Sequence, residues 1–161
     1  MSHRTRYLTH AALIAALYVA LTMLVHLFGL DSGAIQLRLS EALTVLPFFS
    51  AAAVPGLTVG CLLANLTVGG APWDVAFGTL ATLLGALGTR ALRHRSPYLA
   101  ALPPIAANTV IIPWVIRLVY GDMTPIAWLF LTVGLGELIS AGLCGTVLLL
   151  ALRRTKGIKW N

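Results

Sequence analysis

Residues 42–68 read ALTVLPFFSAAAVPGLTVGCLLANLTV, twenty-seven positions without a charge. How the chain crosses this stretch decides the fold. Pro47 interrupts it early and Pro55-Gly56 falls near its middle, so it is one long kinked span or two short ones joined at Pro55-Gly56. Four other apolar stretches are unambiguous, at roughly 8–28, 73–92, 98–120 and 124–152. The count is therefore five or six.

Charge placement separates the two. Nine of the eleven basic residues fall in three clusters, each beside an apolar run: Arg4 and Arg6; Arg90, Arg93 and Arg95; Arg153, Arg154, Lys156 and Lys159. With the first cluster cytoplasmic, two spans across 42–68 bring the other two clusters to the same side. One span would put both outside, against the positive-inside tendency. Six helices fit and five do not.

The composition agrees. Of 161 residues, 58% are hydrophobic and 10% charged, with a mean hydropathy of +0.89, too few charges to coat a soluble domain. The expected architecture is an all-α integral membrane protein of the cell membrane. It is a compact bundle of six transmembrane helices over 1–161, with both termini cytoplasmic and no separate soluble domain. The net charge of +6 reflects helix flanks in contact with the bilayer and not a nucleic-acid surface. The run from about Tyr7 to Leu30 is too long for a signal-peptide core and reads as a retained first helix. Cys61 and Cys144 lie inside apolar stretches without metal-ligand spacing and read as packing residues.

Polar residues within such a chain are costly. An ionised side chain near a bilayer centre costs about 2.5–3.5 kcal/mol on insertion scales, and Glu137 lies about a dozen residues into the last helix. It is protonated, paired with Arg117 or Arg38, or turned to a ligand. Arg38, Ser40 and Glu41 occur together; Ser40 reads as a helix N-cap, with Glu41 at the positive end of that helix. Asn65 and Asn108 can bond across helices or read the edge of a nitrogenous base. Asp31, Arg38, Glu41, Asp74, Arg117 and Asp122 fall at or near the outer face. Trp73, Trp114 and Tyr120 there are interfacial anchors or a stacking surface. His10 and His26 are isolated and read as structural. Ala12, Ala16 and Ala20 share one face of the first helix at four-residue spacing, which permits close approach of another helix within the bundle or on a partner. Sequence signatures of hydrolases and of nucleotide-binding loops are missing, and no motif points to a cofactor.

The run Gln36-Leu-Arg-Leu-Ser-Glu-Ala-Leu-Thr-Val-Leu-Pro47 is followed in order by Val54-Pro-Gly-Leu, Gly60-Cys-Leu-Leu-Ala-Asn65, Asp74-Val-Ala-Phe-Gly-Thr-Leu-Ala-Thr82 and Thr89-Arg90. Over about 35–92, and again at Gly136-Glu137, the sequence resembles the QueT family, the substrate-binding (S) components of energy-coupling factor transporters assigned to queuosine precursors. The resemblance implies a six-helix bundle with its pocket near the outer face. It implies docking of Ala12, Ala16 and Ala20 on a transmembrane scaffold subunit (EcfT), with two ATPase subunits (EcfA type) below. The loop from about Gly29 to Leu39 would act as a lid. The implied ligand is a 7-deazaguanine, whose pyrimidine edge offers two adjacent N–H donors beside a carbonyl. Glu137 and Glu41 suit the donors; Asn65, Asn108 or Arg38 the carbonyl; Trp73, Trp114 or Tyr120 the ring face; Asp74 the cation of an aminomethyl precursor. Arg117 completes the candidate set. An S component for another vitamin-like molecule is the nearest alternative, and a small membrane enzyme a more distant one.

Overall fold

Ser2 opens the first helix. Its Oγ accepts the Thr5 N–H at 3.2 Å, satisfying one of the donors that a helix start leaves unpaired. Helix α1, His3–Leu27, then runs for twenty-five residues to a turn at Gly29, whose φ of 65° lies in the left-handed region that glycine adopts without strain. The computed structural model describes residues 2–30 and 37–155. Asp31, most of the expected lid, Lys156 and Lys159 lie outside the described residues.

The stretch that decides the fold is crossed twice. A 3-10 helix, Leu39–Phe48, goes one way, and α2, Ala53–Thr67, returns. The break falls at residues 49–52 and not at Pro55-Gly56. Pro55 sits in the first turn of α2, where a missing N–H breaks no intrahelical bond. Ten residues in 3-10 geometry span about 20 Å, against about 15 Å as α-helix, so the tighter winding lengthens a short segment. Ser40 is not an N-cap. Arg38 precedes the helix and makes no side-chain cap, while Ser40 lies within the first turn, its Oγ 3.0 Å from Thr22 Oγ1 of α1. Glu41 does occupy the first turn.

Three further helices complete the bundle: α3, Pro72–Ala91; α4, Leu102–Val119; and α5, a continuous Ile126–Arg154 whose middle, Leu138–Cys144, is wound as π-helix. Together with α1, these are four helices long and apolar enough to cross a membrane. The described residues contain no strand. The 3-10 helix is the core of the assembly, buried at Ser40, Glu41 and from Leu43 to Pro47, and packed against α1, α2, α3 and α5. Leucines on the outside, among them Leu13, Leu62, Leu118 and Leu143, are exposed. A membrane protein presents such a surface to lipid.

Small residues let the helices close. A Cβ on Gly56 would lie 2.7 Å from the Ala11 carbonyl oxygen, and one on Gly60 2.8 Å from Tyr18 Cβ, so α2 rests directly on α1. Gly85 and Gly88 bring α3 against Pro104 and Pro103 in the same way. Gly56→Ala is expected to destabilise the fold by about 1–3 kcal/mol, because the clash is with backbone. Gly142→Ala, whose added carbon would meet nothing closer than Ile105 Cδ1 at 3.5 Å, serves as the control. Thermal melting of both variants in detergent tests this, and equal midpoints would refute it.

His3 of α1 lines one cavity with Arg90 of α3, and the end of α5 packs on the turn Pro97–Leu99. The described basic clusters therefore gather at one end of the bundle. Asp74, Arg117 and Asp122 gather at the other.

Candidate functional site

In the interior, polar side chains meet from four helices. Glu41 of the 3-10 helix is 1% exposed. The Tyr18 hydroxyl of α1 donates to its Oε1, and Asn108 Nδ2 of α4 donates to its Oε2 at 3.4 Å. Glu137 of α5, 5% exposed, stands beside Asn108, and its Oε2 is buried with no hydrogen-bond partner among the described residues. Arg38 is the positively charged side chain within electrostatic reach of both carboxylates. Its backbone N–H donates to Ser140 Oγ at 3.1 Å, tying the start of the 3-10 helix to the π segment. One residue added per turn by π winding, directly after Glu137, adjusts which side chains face inward; such bulges are frequent at functional sites. Beside this cluster lies a cavity of about 30 Å³ lined by Tyr18, Thr22, Val25, Arg38, Ser40 and Asn65.

The electrostatics of this arrangement are unbalanced. Two buried carboxylates around one guanidinium leave a negative charge that a proton or a bound cation has to offset, and an unpaired buried oxygen carries its desolvation cost in full. Glu137 Oε2 is a hydrogen-bond acceptor held ready for a donor that the described residues do not supply.

The structure brings together five of the residues singled out from the sequence: Glu137, Glu41, Arg38, Asn108 and Asn65. The other five lie elsewhere. Trp73 and Trp114, 65% and 49% exposed, line an apolar groove of about 530 Å³ between α3 and α4. Trp73 stacks on Phe77 and Trp114 meets Phe130 edge to face, each at 6.1 Å between centroids. That groove offers ring faces but few groups to read a polar edge. Tyr120 donates to Asp74 Oδ2 at 2.7 Å and accepts the Ala71 N–H at 3.3 Å, pinning the start of α3. Partial burial, then the Asp74 carboxylate, raise its phenol above the usual range. Arg117 donates to the carbonyls of Asp122 and Thr124 at 2.8 and 3.3 Å, closing the turn into α5. The Thr124 hydroxyl and N–H hold the Asp122 carboxyl below its ordinary value. Ala12, Ala16 and Ala20 are all exposed, on the side of α1 turned away from α2.

The QueT transporter family matches over residues 8–154. The chain belongs to the QueT transporter family. A protein of Lactococcus lactis subsp. cremoris (strain MG1363) named Queuosine precursor transporter QueT is 40% identical over 74 residues, which are 45% of this chain and 43% of that protein. The similarity thus spans less than half the length of that relative. No solved structure matches.

In this QueT-family chain, sequence reasoning missed Tyr18, Thr22 and Ser140. Tyr18 carries a readable signal: Ala11, Ile14, Ala15, Tyr18, Thr22 and Val25 recur at three- and four-residue steps, the periodicity of a packed helical face. A tyrosine in that face needs a partner for its hydroxyl.

Proposed function

We propose that this chain is the substrate-binding (S) component of an energy-coupling factor transporter and captures a queuosine precursor, a 7-deazaguanine, from outside the cell. The observation that carries the reading is the unpartnered Glu137 Oε2 in a buried polar cluster of a QueT-family protein. A carboxylate at that position accepts the two adjacent N–H groups of the pyrimidine edge. Glu41, already held by Tyr18 and Asn108, shapes the acceptor surface. Asn108, Asn65 and Arg38 stand where a ring carbonyl is read. An aminomethyl precursor adds the cation that two carboxylates around one guanidinium call for. Trp73, Asp74, Trp114, Arg117 and Tyr120 belong to the outer end and the mouth.

The chain crosses the membrane six times in this reading, with the Arg90 end cytoplasmic by the positive-inside tendency. The cavity beside the cluster, about 30 Å³, is the share of one water in the liquid. Admitting a bicyclic base therefore requires Arg38 and Tyr18 to give way. Energy comes from two ATPase subunits through a transmembrane scaffold subunit that meets Ala12, Ala16 and Ala20. The chain is a transport subunit and not an enzyme.

Titration of the purified chain in detergent with queuine and its cyano and aminomethyl precursors, against riboflavin, thiamine and biotin, tests the assignment. Tight binding confined to deazaguanines is expected. Binding of a vitamin instead would keep the transporter and change its cargo, and a folded chain that binds no deazaguanine would refute the substrate assignment.

A further inference from the structure

His3, Arg6, Tyr7 and His10 recur along the first two turns of α1 at steps of three, four and seven, and so share one side of that helix. They line a cavity of about 140 Å³ whose other wall carries Ser50, at the break before α2, and Arg90, at the end of α3. Arg90 is fixed there: its Nη1 donates to the Pro47 carbonyl at 3.2 Å, using one of the five donors of a guanidinium. Two guanidiniums, two imidazoles, a phenol and a hydroxyl thus converge on one space, and no carboxylate among the described residues lines it. The described carboxylates lie far from this end: Glu41 and Glu137 in the core, Asp74 and Asp122 at the opposite end. The positive charge at this cavity calls for an anion from outside the chain.

Position selects its source. The cavity lies at the start of a membrane-length helix that exposes Leu8, Leu13 and Leu17 just beyond it, and so at the level where lipid headgroups meet water. The phosphates most concentrated there are those of anionic phospholipids, which basic pockets between helices recognise. Guanidinium forks match the oxygens of a phosphate diester, and a volume of 140 Å³ exceeds by several times the roughly 30 Å³ share of one water. We propose that this cavity binds the phosphate of an anionic phospholipid, with Arg6 and Arg90 carrying the charge and His3, Tyr7, His10 and Ser50 completing the hydrogen-bonding rim.

The test uses the full chain in detergent, with lipid retention read by native mass spectrometry after addition of phosphatidylglycerol, phosphatidylcholine or inorganic phosphate. Phosphatidylglycerol is expected to be retained in preference to phosphatidylcholine, and Arg6→Gln to weaken that retention about tenfold, the loss of one charge-assisted contact. Arg153→Gln, which alters an exposed arginine outside the cavity, is expected to leave it unchanged. Arg90→Gln is the less clean variant because Arg90 also anchors Pro47. Equal retention of both lipids would overturn the proposal, as would equal losses in the Arg6 and Arg153 variants. Full displacement of the lipid by millimolar inorganic phosphate would instead assign the site to a soluble anion.

Discussion

Glu137→Gln is expected to weaken 7-deazaguanine binding by about 100-fold or more while leaving the bundle folded. The amide keeps the size of the side chain but replaces one acceptor oxygen by a donor, which then opposes the N–H groups of the ligand edge. Sites built to pair with a polar edge discriminate strongly because an unmatched group stays buried and unpaired. The fold tolerates the change since Oε2 takes part in no hydrogen bond among the described residues, and Glu41 still offsets the charge of Arg38. Glu41→Gln supplies the contrast. Both Glu41 oxygens are engaged, by Tyr18 and Asn108, so that variant is expected to lose thermal stability as well as affinity. Calorimetric titration and thermal melting of the two variants side by side give the result. Unchanged affinity in Glu137→Gln would remove Glu137 from the site. A larger drop in melting temperature for Glu137→Gln than for Glu41→Gln would mark it as a structural residue.

The contrast between these two glutamates also shows what was legible in the sequence. Glu137 and Asn108 stood out because a polar group inside an apolar run has to be explained, whatever the fold. The four long helices stood out because length and hydropathy alone define a crossing. The two short ones are implied only by the charge count on either side of 42–68, and their junction lies at 49–52 instead of the expected Pro55-Gly56. Pro55 and Gly56 resemble a turn locally, but a proline is tolerated in a first helical turn and Gly56 is there for the approach of α1. Ser40 resembles a cap for the same local reason. Its neighbour is Thr22, eighteen residues away on another helix, a contact that no local pattern encodes. Neither the 3-10 winding nor the π segment leaves a trace in residue type, since both depend on how α1, α3 and α5 pack on the central helix. The exposed aromatics are ambiguous in sequence, because Trp and Tyr near a membrane interface serve as anchors far more widely than as ligand platforms.

Replacing Ala12 and Ala16 together by leucine is expected to cut precursor uptake by about tenfold or more, which corresponds to roughly 1.4 kcal/mol lost at a packed interface. Ala12, Ala16 and Ala20 are exposed on α1, while the face that meets α2 is made by Ala11, Ile14, Ala15 and Tyr18. Packing within the chain therefore does not account for their size. Around them the outward surface of the same helix carries Leu8, Leu13, Leu17 and Leu24, as suits contact with lipid. A stripe of small residues among leucines admits a second helix at short range, and in a bilayer such close packing is what drives helices together. Leucine favours the helical state nearly as well as alanine and suits lipid contact, so the isolated chain should fold and bind its ligand unchanged. Labelled precursor uptake in cells that also express the scaffold and ATPase subunits, paired with ligand titration of the purified variant, separates the two steps. Uptake at the unmodified level would exclude the stripe as the docking surface. Loss of ligand binding in the purified variant would place these alanines in the service of the fold instead.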